Sequence, residues 1–254
     1  MLILLPPSEG KRRAGARRRP VDLAGLSFPA LTSARLAVGD ALATLSARED
    51  ASAVLGVGAS LDAEVRANVD LWTLPAAPAA QVYSGVLYEA LDLASMDAAG
   101  RRRAARALLV ISALWGAVRL TDRIPAYRLS MTVDLPGVGP LARFWRPHLD
   151  PVLGPQVTRG VVVDCRSAPY QQAWPCTAPE RTVQIRVLGK DSGTAVSHMA
   201  KHTRGLVARA LCTRSGSTPR TPEQLAAAVG EEFEVALTQP RNSRSPWTLA
   251  VTQP

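Results

Sequence analysis

The chain has 254 residues, with 30 Lys and Arg against 21 Asp and Glu, a formal net charge of +9, and 47% hydrophobic residues. A mean hydropathy of +0.04 and a pI near 10.3 belong to an ordinary folded protein and exclude a largely disordered or helical membrane chain. The basic balance favours a polyanionic partner. Only Lys11, Lys190 and Lys201 are lysines, which leaves 27 arginines; a GC-rich genome produces the same bias, so the sign of the charge is informative and the choice of arginine is not.

In chain order, residues 2–5 are an apolar run too short to span a bilayer and stopped by Pro6 and Pro7, so they read as a buried strand rather than a signal peptide. Ser8, Glu9, Gly10 and Lys11 follow at its carboxyl end, where sheets that mix strands and helices usually meet ligands. The Gly-Lys pair is not a phosphate-binding P-loop, because Arg12 stands where Ser or Thr is needed and the glycine spacing is absent. Residues 12–19, RRAGARRR, are a solvated basic loop or a phosphate-contacting arm. Residues 31–47 have helical spacing, with Thr32 or Ser33 as N-cap.

Residues 51–72 read as two helical segments joined by Leu55, Gly56, Val57 and Gly58, the pattern of a helix-hairpin-helix. Glycines there permit a tight turn and let backbone N–H groups approach a phosphate. Asp62 and Glu64 follow and would repel one, so a plain helical turn stands beside the DNA-contacting reading. A second match, LPGVGP at residues 135–140, lacks a preceding helix and reads as a turn. In residues 81–89, Tyr83 and Tyr88 flank Ser84 and Gly85, either packing around a turn or edging a site. Residues 96–109 predict a helix bearing Arg101, Arg102, Arg103 and Arg106.

Residues 108–116 are a buried strand or the start of a buried helix, which periodicity cannot separate. The run that continues to Met131 brings Arg119, Asp122, Arg123, Tyr127 and Arg128 within ten residues on a loop stiffened by Pro125. Such a loop on a rigid element is a candidate site; the alternative is a connection with solvated arginines and Tyr127 capping the core. Residues 141–149 read as a short helix, 160–165 as a buried strand and 181–188 as a half-buried one. Asp191, Ser192 and Gly193 predict a turn. Residues 197–211 form an amphipathic helix on which Lys201 and Arg204 share a face, with Gly205 allowing an anion close approach. His198 and His202 also share a face, but the residue after His198 is Met199 and no Cys or acid lies nearby, so no metal site is expected. The last segments are a helix at 222–229 and two strand-like pieces, FEVAL and WTLAV.

Cys165, Cys176 and Cys212 are odd in number and irregularly spaced, as in a reducing compartment, and the cytoplasm is the expected location. With no repeat or linker, residues 1–254 are expected to form one α+β domain, a central sheet surrounded by helices and including a helix-hairpin-helix-like element. No cofactor is expected.

LLPPSEGK, YSGVLY, SALWGAVRLTDRIPAYRLSM and AKHTRGLVAR together resemble the YaaA family of bacterial peroxide-stress proteins over nearly the whole chain. The resemblance implies a cytoplasmic domain of unusual fold with a positively charged cleft, DNA binding, and a role in limiting damage when iron and peroxide coincide. Carried onto this sequence, Arg128, Lys201, Arg204 and Gly205 match the family's polar positions. Ser84, Gly85 and Tyr88 match a further motif, and residues 55–58 stand at the family hairpin.

Two functions are therefore expected to compete. One is binding of double-stranded DNA without sequence reading, through a basic cleft that includes Lys11, Ser84, Gly85, Arg128, Lys201, Arg204 and Gly205. The other is an enzyme acting on a small anionic ligand, a nucleotide or phosphorylated metabolite, held by Glu9, Lys11, Arg128, Lys201 and Arg204. Glu9 and Tyr127 are its acid–base candidates. An iron-binding protein is disfavoured, because three His and three Cys lack ligand spacing.

Overall fold

Strand β1 (Leu2–Leu5) is buried along its whole length, as an apolar run must be when it sits inside a parallel sheet covered on both faces. The computed structural model describes residues 1–188 and 195–252. A loop leads from β1 to α1 (Thr32–Ser46), α2 (Ala51–Val54) and α3 (Asp62–Ala67). Next come β2 (Ala77–Pro78), α4 (Ala79–Val82), α5 (Val86–Leu91) and α6 (Ala98–Ala107). Strands β3 (Leu108–Ser112), β4 (Gly116–Arg119), β5 (Arg123–Ile124), β6 (Asp134–Leu135) and β7 (Gly139–Pro140) follow. The chain continues with α7 (Leu141–Leu153), β8 (Val162–Asp164), α8 (Ala168–Ala173) and β9 (Thr182–Leu188). It closes with α9 (Ala195–Thr213), α10 (Pro222–Val229), β10 (Glu234–Thr238) and β11 (Trp247–Thr252).

Seven strands form the central sheet in the order β10-β11-β9-β8-β1-β3-β4. The five strands β3, β1, β8, β9 and β11 run parallel, while β4 and β10 pair antiparallel at the two edges. Helices pack on it, among them α6 against β1, α7 against β4 and α9 against β9. This is the mixed helix-and-sheet architecture with a central sheet that the sequence predicts. Connections from β1 lead toward β3, whereas those from β8 lead toward β9 and β11. The two directions part between β1 and β8, and the carboxyl ends of strands at such a switch point are where open α/β sheets take ligands.

Residues 108–112 resolve as strand, paired in register with β1 from Ile3 opposite Leu108 to Leu5 opposite Val110. The hairpin to β4 turns at Gly116, whose φ is +67° and where a Cβ would lie 2.5 Å from the Trp145 ring. Only a residue without a Cβ meets both demands. Trp115 and Trp145 are fully buried here, and the Trp145 indole donates to the Ala113 carbonyl at 2.7 Å. Arg35 of α1 is also fully buried. It donates to the carbonyls of Trp115 (3.0 Å), Ala117 (2.9 Å) and Ser27 (2.7 Å), tying α1 to the β3–β4 hairpin.

Two local expectations change, and the turn read at residues 135–140 is found at the tip of a hairpin. Helix α1 takes Leu31 as N-cap with no side-chain bond, and Thr32 is already helical. Residues 135–140 form the β6–β7 hairpin, with Gly137 and Gly139 at positive φ. Helix α7 runs on past Leu149 to Leu153 through Pro147 and Pro151. The turn expected at Asp191, Ser192 and Gly193 lies outside the described residues. Among the described residues no helix is long and apolar enough to cross a membrane.

Candidate functional site

At the carboxyl end of β1, Pro6 and Pro7 stop the strand, and the following loop is held by side chains from elsewhere in the chain. Tyr88 of α5 donates its hydroxyl to the Pro6 carbonyl at 2.7 Å. The Ser8 hydroxyl accepts from the Ser84 backbone N–H at 3.0 Å, and the Ser84 hydroxyl donates to the Gly10 carbonyl at 3.3 Å. Lys11 then forms an isolated bridge with Tyr83. The segment around Ser84 and Gly85 therefore fixes the loop after β1. Gly85 adopts a φ of +90° as the chain enters α5.

This fixation places the Lys11 amine over the Tyr127 ring, 4.2 Å from its centroid and 5.9 Å from that of Tyr83. The amine donates to the carbonyls of Ser8 (2.8 Å) and Glu9 (3.3 Å). Tyr127 is buried, and its hydroxyl bonds Ser112 at the end of β3 (2.7 Å) and Tyr83 (3.2 Å). A short chain of hydroxyls thus lies beneath the ring that the amine covers. Ser112 also accepts the backbone N–H groups of Leu114 and Trp115, so the chain is anchored in the β3–β4 turn.

Around Lys11 stand two further cations and two acids. The Arg128 guanidinium donates to the Glu9 carbonyl at 3.0 Å and lies 3.6 Å from the Glu64 carboxylate of α3. The Lys201 amine of α9 pairs with the Glu9 carboxylate at 3.1 Å. Arg128 is placed by a residue with no sequence signature: buried Asn68 accepts from the Arg128 backbone N–H (2.9 Å) and donates to its carbonyl (3.1 Å). Tyr170 in α8 completes the edge from the β8 side. Burial pushes its hydroxyl up to about 12, with the Glu9 charge adding to the rise and hydrogen bonds to Met131 and Ser130 and the Arg128 charge opposing it.

The electrostatics follow from this packing. Burial, reinforced by the charge of Arg128, brings the Lys11 amine down to about 7, against the pull of Glu64 and Glu9. Glu9 is held below the usual carboxylate range by its hydrogen bond and ion pair with Lys201, with Arg128 and Lys11 adding to the effect. Burial raises the Tyr83, Tyr88 and Tyr127 hydroxyls well above 10, so they are neutral donors at physiological pH. An amine whose proton is held less tightly than usual, close to fixed cations, can act as a base or a nucleophile toward an anionic molecule.

The residues named from the sequence divide accordingly. Glu9, Lys11, Tyr127, Arg128 and Lys201 converge. Arg204 lies close enough to Cys165, just past β8, for its charge to oppose the burial that raises that thiol, and its Nε is buried without a partner among the described residues. Gly205 faces α5: a Cβ there would lie 2.2 Å from the Leu87 carbonyl oxygen. Its close approach is therefore to a helix, which corrects the expectation that it opens the way for an anion. Leu55, Gly56, Val57 and Gly58 link α2 to a 3-10 turn (Ala59–Leu61) and α3, with Gly56 at φ +65°. Both flanking helices are short, of four and six residues. Among the described residues no three His, Cys, Asp or Glu side chains come together as a metal site. A cavity of about 640 Å³ lined by Arg159, Arg181 and Arg220 opens beside Met1, at the opposite end of β1 from Lys11.

A family model described as peroxide stress protein YaaA matches residues 1–238. The chain is 47% identical over 256 residues to a UPF0246 protein of Streptomyces coelicolor, covering 99% of this chain and 98% of the relative. A UPF0246 protein of Corynebacterium efficiens is 38% identical, covering 92% and 95%. One of Corynebacterium glutamicum is 37% identical, covering 99% and 100%.

Proposed function

Because the chain belongs to the family of peroxide stress protein YaaA, we propose that it serves the peroxide response by binding the phosphate backbone of double-stranded DNA without reading base sequence. The observation that carries this reading is the proximity of an exposed basic arm to the cations at the end of β1, on either side of the acids Asp62 and Glu64 of α3. Arg12, Arg13, Arg17, Arg18 and Arg19 are exposed and follow directly on Lys11. Arg13 donates to the Ala63 carbonyl of α3, and Glu64 of the same helix meets Arg128. The arm, the helix after the Gly56 turn and the cations at the end of β1 are therefore neighbours. Contacts of arginine and backbone N–H groups to phosphate position a duplex and carry no sequence information. They also release condensed counterions; ferrous iron is such a counterion, so covering the backbone would keep peroxide chemistry away from it.

Fluorescence anisotropy with duplexes of unrelated sequence tests this. Affinity is expected to be the same for each duplex and to fall with salt, with a log–log slope of about −0.9 per neutralised phosphate. Changing the five arm arginines to serine should flatten that slope by up to about 4.5. Binding that does not change with salt, or that is weaker than about 1 mM at low salt, refutes the reading.

A second reading, an enzyme for a small anionic substrate, is favoured by one specific observation. A surface for DNA does not require an amine held over a tyrosine ring with a carboxylate fixed beside it, whereas a site formed by Glu9, Lys11, Arg128, Lys201 and Arg204 for a small anion does. Calorimetric titration with nucleoside phosphates and sugar phosphates, in the wild type and in Arg128→Ala, tests it. Failure of every such ligand to bind refutes it.

A further inference from the structure

We propose that Lys11 is a covalent nucleophile whose amine forms an imine with the carbonyl group of a small aldehyde or ketone, the anionic group of that molecule being held by Arg128 and Lys201. The proposal rests on the second reading above and adds to it a chemical class and a bond. Three observations carry it.

The first is composition set against position. The chain has 27 arginines and three lysines, so lysine is the rare cation here. Two of the three, Lys11 and Lys201, are neighbours of Glu9, and Lys190 lies outside the described residues. An arginine stays protonated and would serve a phosphate as well as a lysine or better. A primary amine, unlike a guanidinium, can lose its proton and share its electron pair.

The second is geometry. Lys11 follows β1 at the point where the sheet's connections part, and the loop before it is tied down by Tyr88, Ser8 and Ser84. Its Nζ is held against the Tyr127 ring, so it is neither a wandering surface amine nor locked in an ion pair. Glu9, the acid that would otherwise neutralise it, is taken by Lys201. Enclosure and the nearby Arg128 charge work against the ammonium form, the means by which amine nucleophiles are activated.

The third is the balance of protons and charge. The carbonyl carbon gains a bond to Nζ and loses its bond to oxygen, which departs as water. When the step starts from the ammonium, both hydrogens of that water come from the nitrogen, leaving a protonated imine, and no other reactant is consumed. The Ser8 and Glu9 carbonyls, which already accept hydrogen bonds from Nζ, are the polar groups in contact with the amine, and solvent water carries these protons. A phosphate or carboxylate on the same molecule would exchange for Glu64 at Arg128 and for Glu9 at Lys201.

The scarcity of lysine makes the test direct. The full chain is incubated near pH 7 with equimolar pyridoxal 5′-phosphate as the probe, reduced with borohydride, and mapped by peptide mass spectrometry. Reduction converts the imine to a stable secondary amine. The adduct is expected on Lys11 in at least tenfold excess over Lys190, Lys201 and the terminal amine. Lys11→Arg should abolish it, and Arg128→Ala should reduce it to the level given by pyridoxal, which lacks the phosphate. Equal or greater labelling of Lys201 or Lys190 in the wild type overturns the proposal, whether or not the variants fold. Equilibrium dialysis of the same probe without reductant separates the two failures. A probe held by the protein but not trapped on Lys11 defeats the imine alone, whereas a probe not held, together with failure of the nucleoside and sugar phosphates in the calorimetric titration, defeats the small-anion reading as well.

Discussion

Replacing Gly205 by alanine places a methyl group where α9 crosses α5. The new Cβ would lie 2.2 Å from the Leu87 carbonyl oxygen, 2.8 Å from the Ala90 Cβ and 3.1 Å from the Leu87 carbonyl carbon. Ordinary van der Waals contact begins near 3.4 Å, so the two helices must separate by about 1 Å, and the obstacle is backbone that no rotamer change can move. Overpacking of this kind costs about 1–3 kcal/mol, with the upper end appropriate here. Alanine returns at most about 1 kcal/mol through its better helix propensity. The net expectation is a loss of about 2 kcal/mol, seen as a fall in Tm of about 4–8 °C for a chain of this size. Denaturant titration followed by circular dichroism measures it. Gly58→Ala is the control, because its φ of −75° is ordinary and nothing lies within 4 Å of the added carbon; it should change stability by less than about 0.5 kcal/mol. A Gly205→Ala protein as stable as the wild type would refute the assignment of Gly205 to helix packing. The effect should also reach the site, since α5 carries the Tyr88 hydroxyl that holds Pro6.

Arg128→Ala is expected to weaken binding of duplex DNA and of small anions while costing about 1 kcal/mol of stability, because the backbone clamp from Asn68 survives the change. Loss of the fold instead, seen by circular dichroism, would make Arg128 a structural ion-pair partner. Lys11→Met should alter how stability depends on pH. The Lys11 value of about 7 lies below the ~10.4 of an unfolded lysine, so its protonated form is disfavoured in the folded state and that penalty is complete below pH 7. As pH rises from 7 to 9, the unfolded chain keeps the proton that the folded chain has released, and the wild type gains stability. The variant should lack this gain; parallel stability profiles for the two proteins over that range would refute the enclosed state of the amine.

The sequence by itself determined the elements whose period and burial agree. The apolar runs at 2–5 and 160–165, the alternation at 181–188 and the amphipathic spacing at 197–211 each read as what they became, because one covered face or two imposes one pattern. It also marked Glu9, Lys11, Tyr127 and Arg128, since strand ends and a Pro-stiffened loop are recognisable locally, and Lys201 through its spacing on the helix at 197–211. Only the tertiary structure decided that residues 108–112 are strand: a short buried apolar run has the same composition in either state, and pairing with β1 settles it. It likewise placed Arg35 in the core and Asn68 behind Arg128, where polar residues without a motif owe their role entirely to distant partners. Gly205 is the sharpest case. Its need for a missing side chain is legible in the sequence, but whether the close neighbour is an anion or a helix depends on what folds against it, and that neighbour is more than a hundred residues away in the chain.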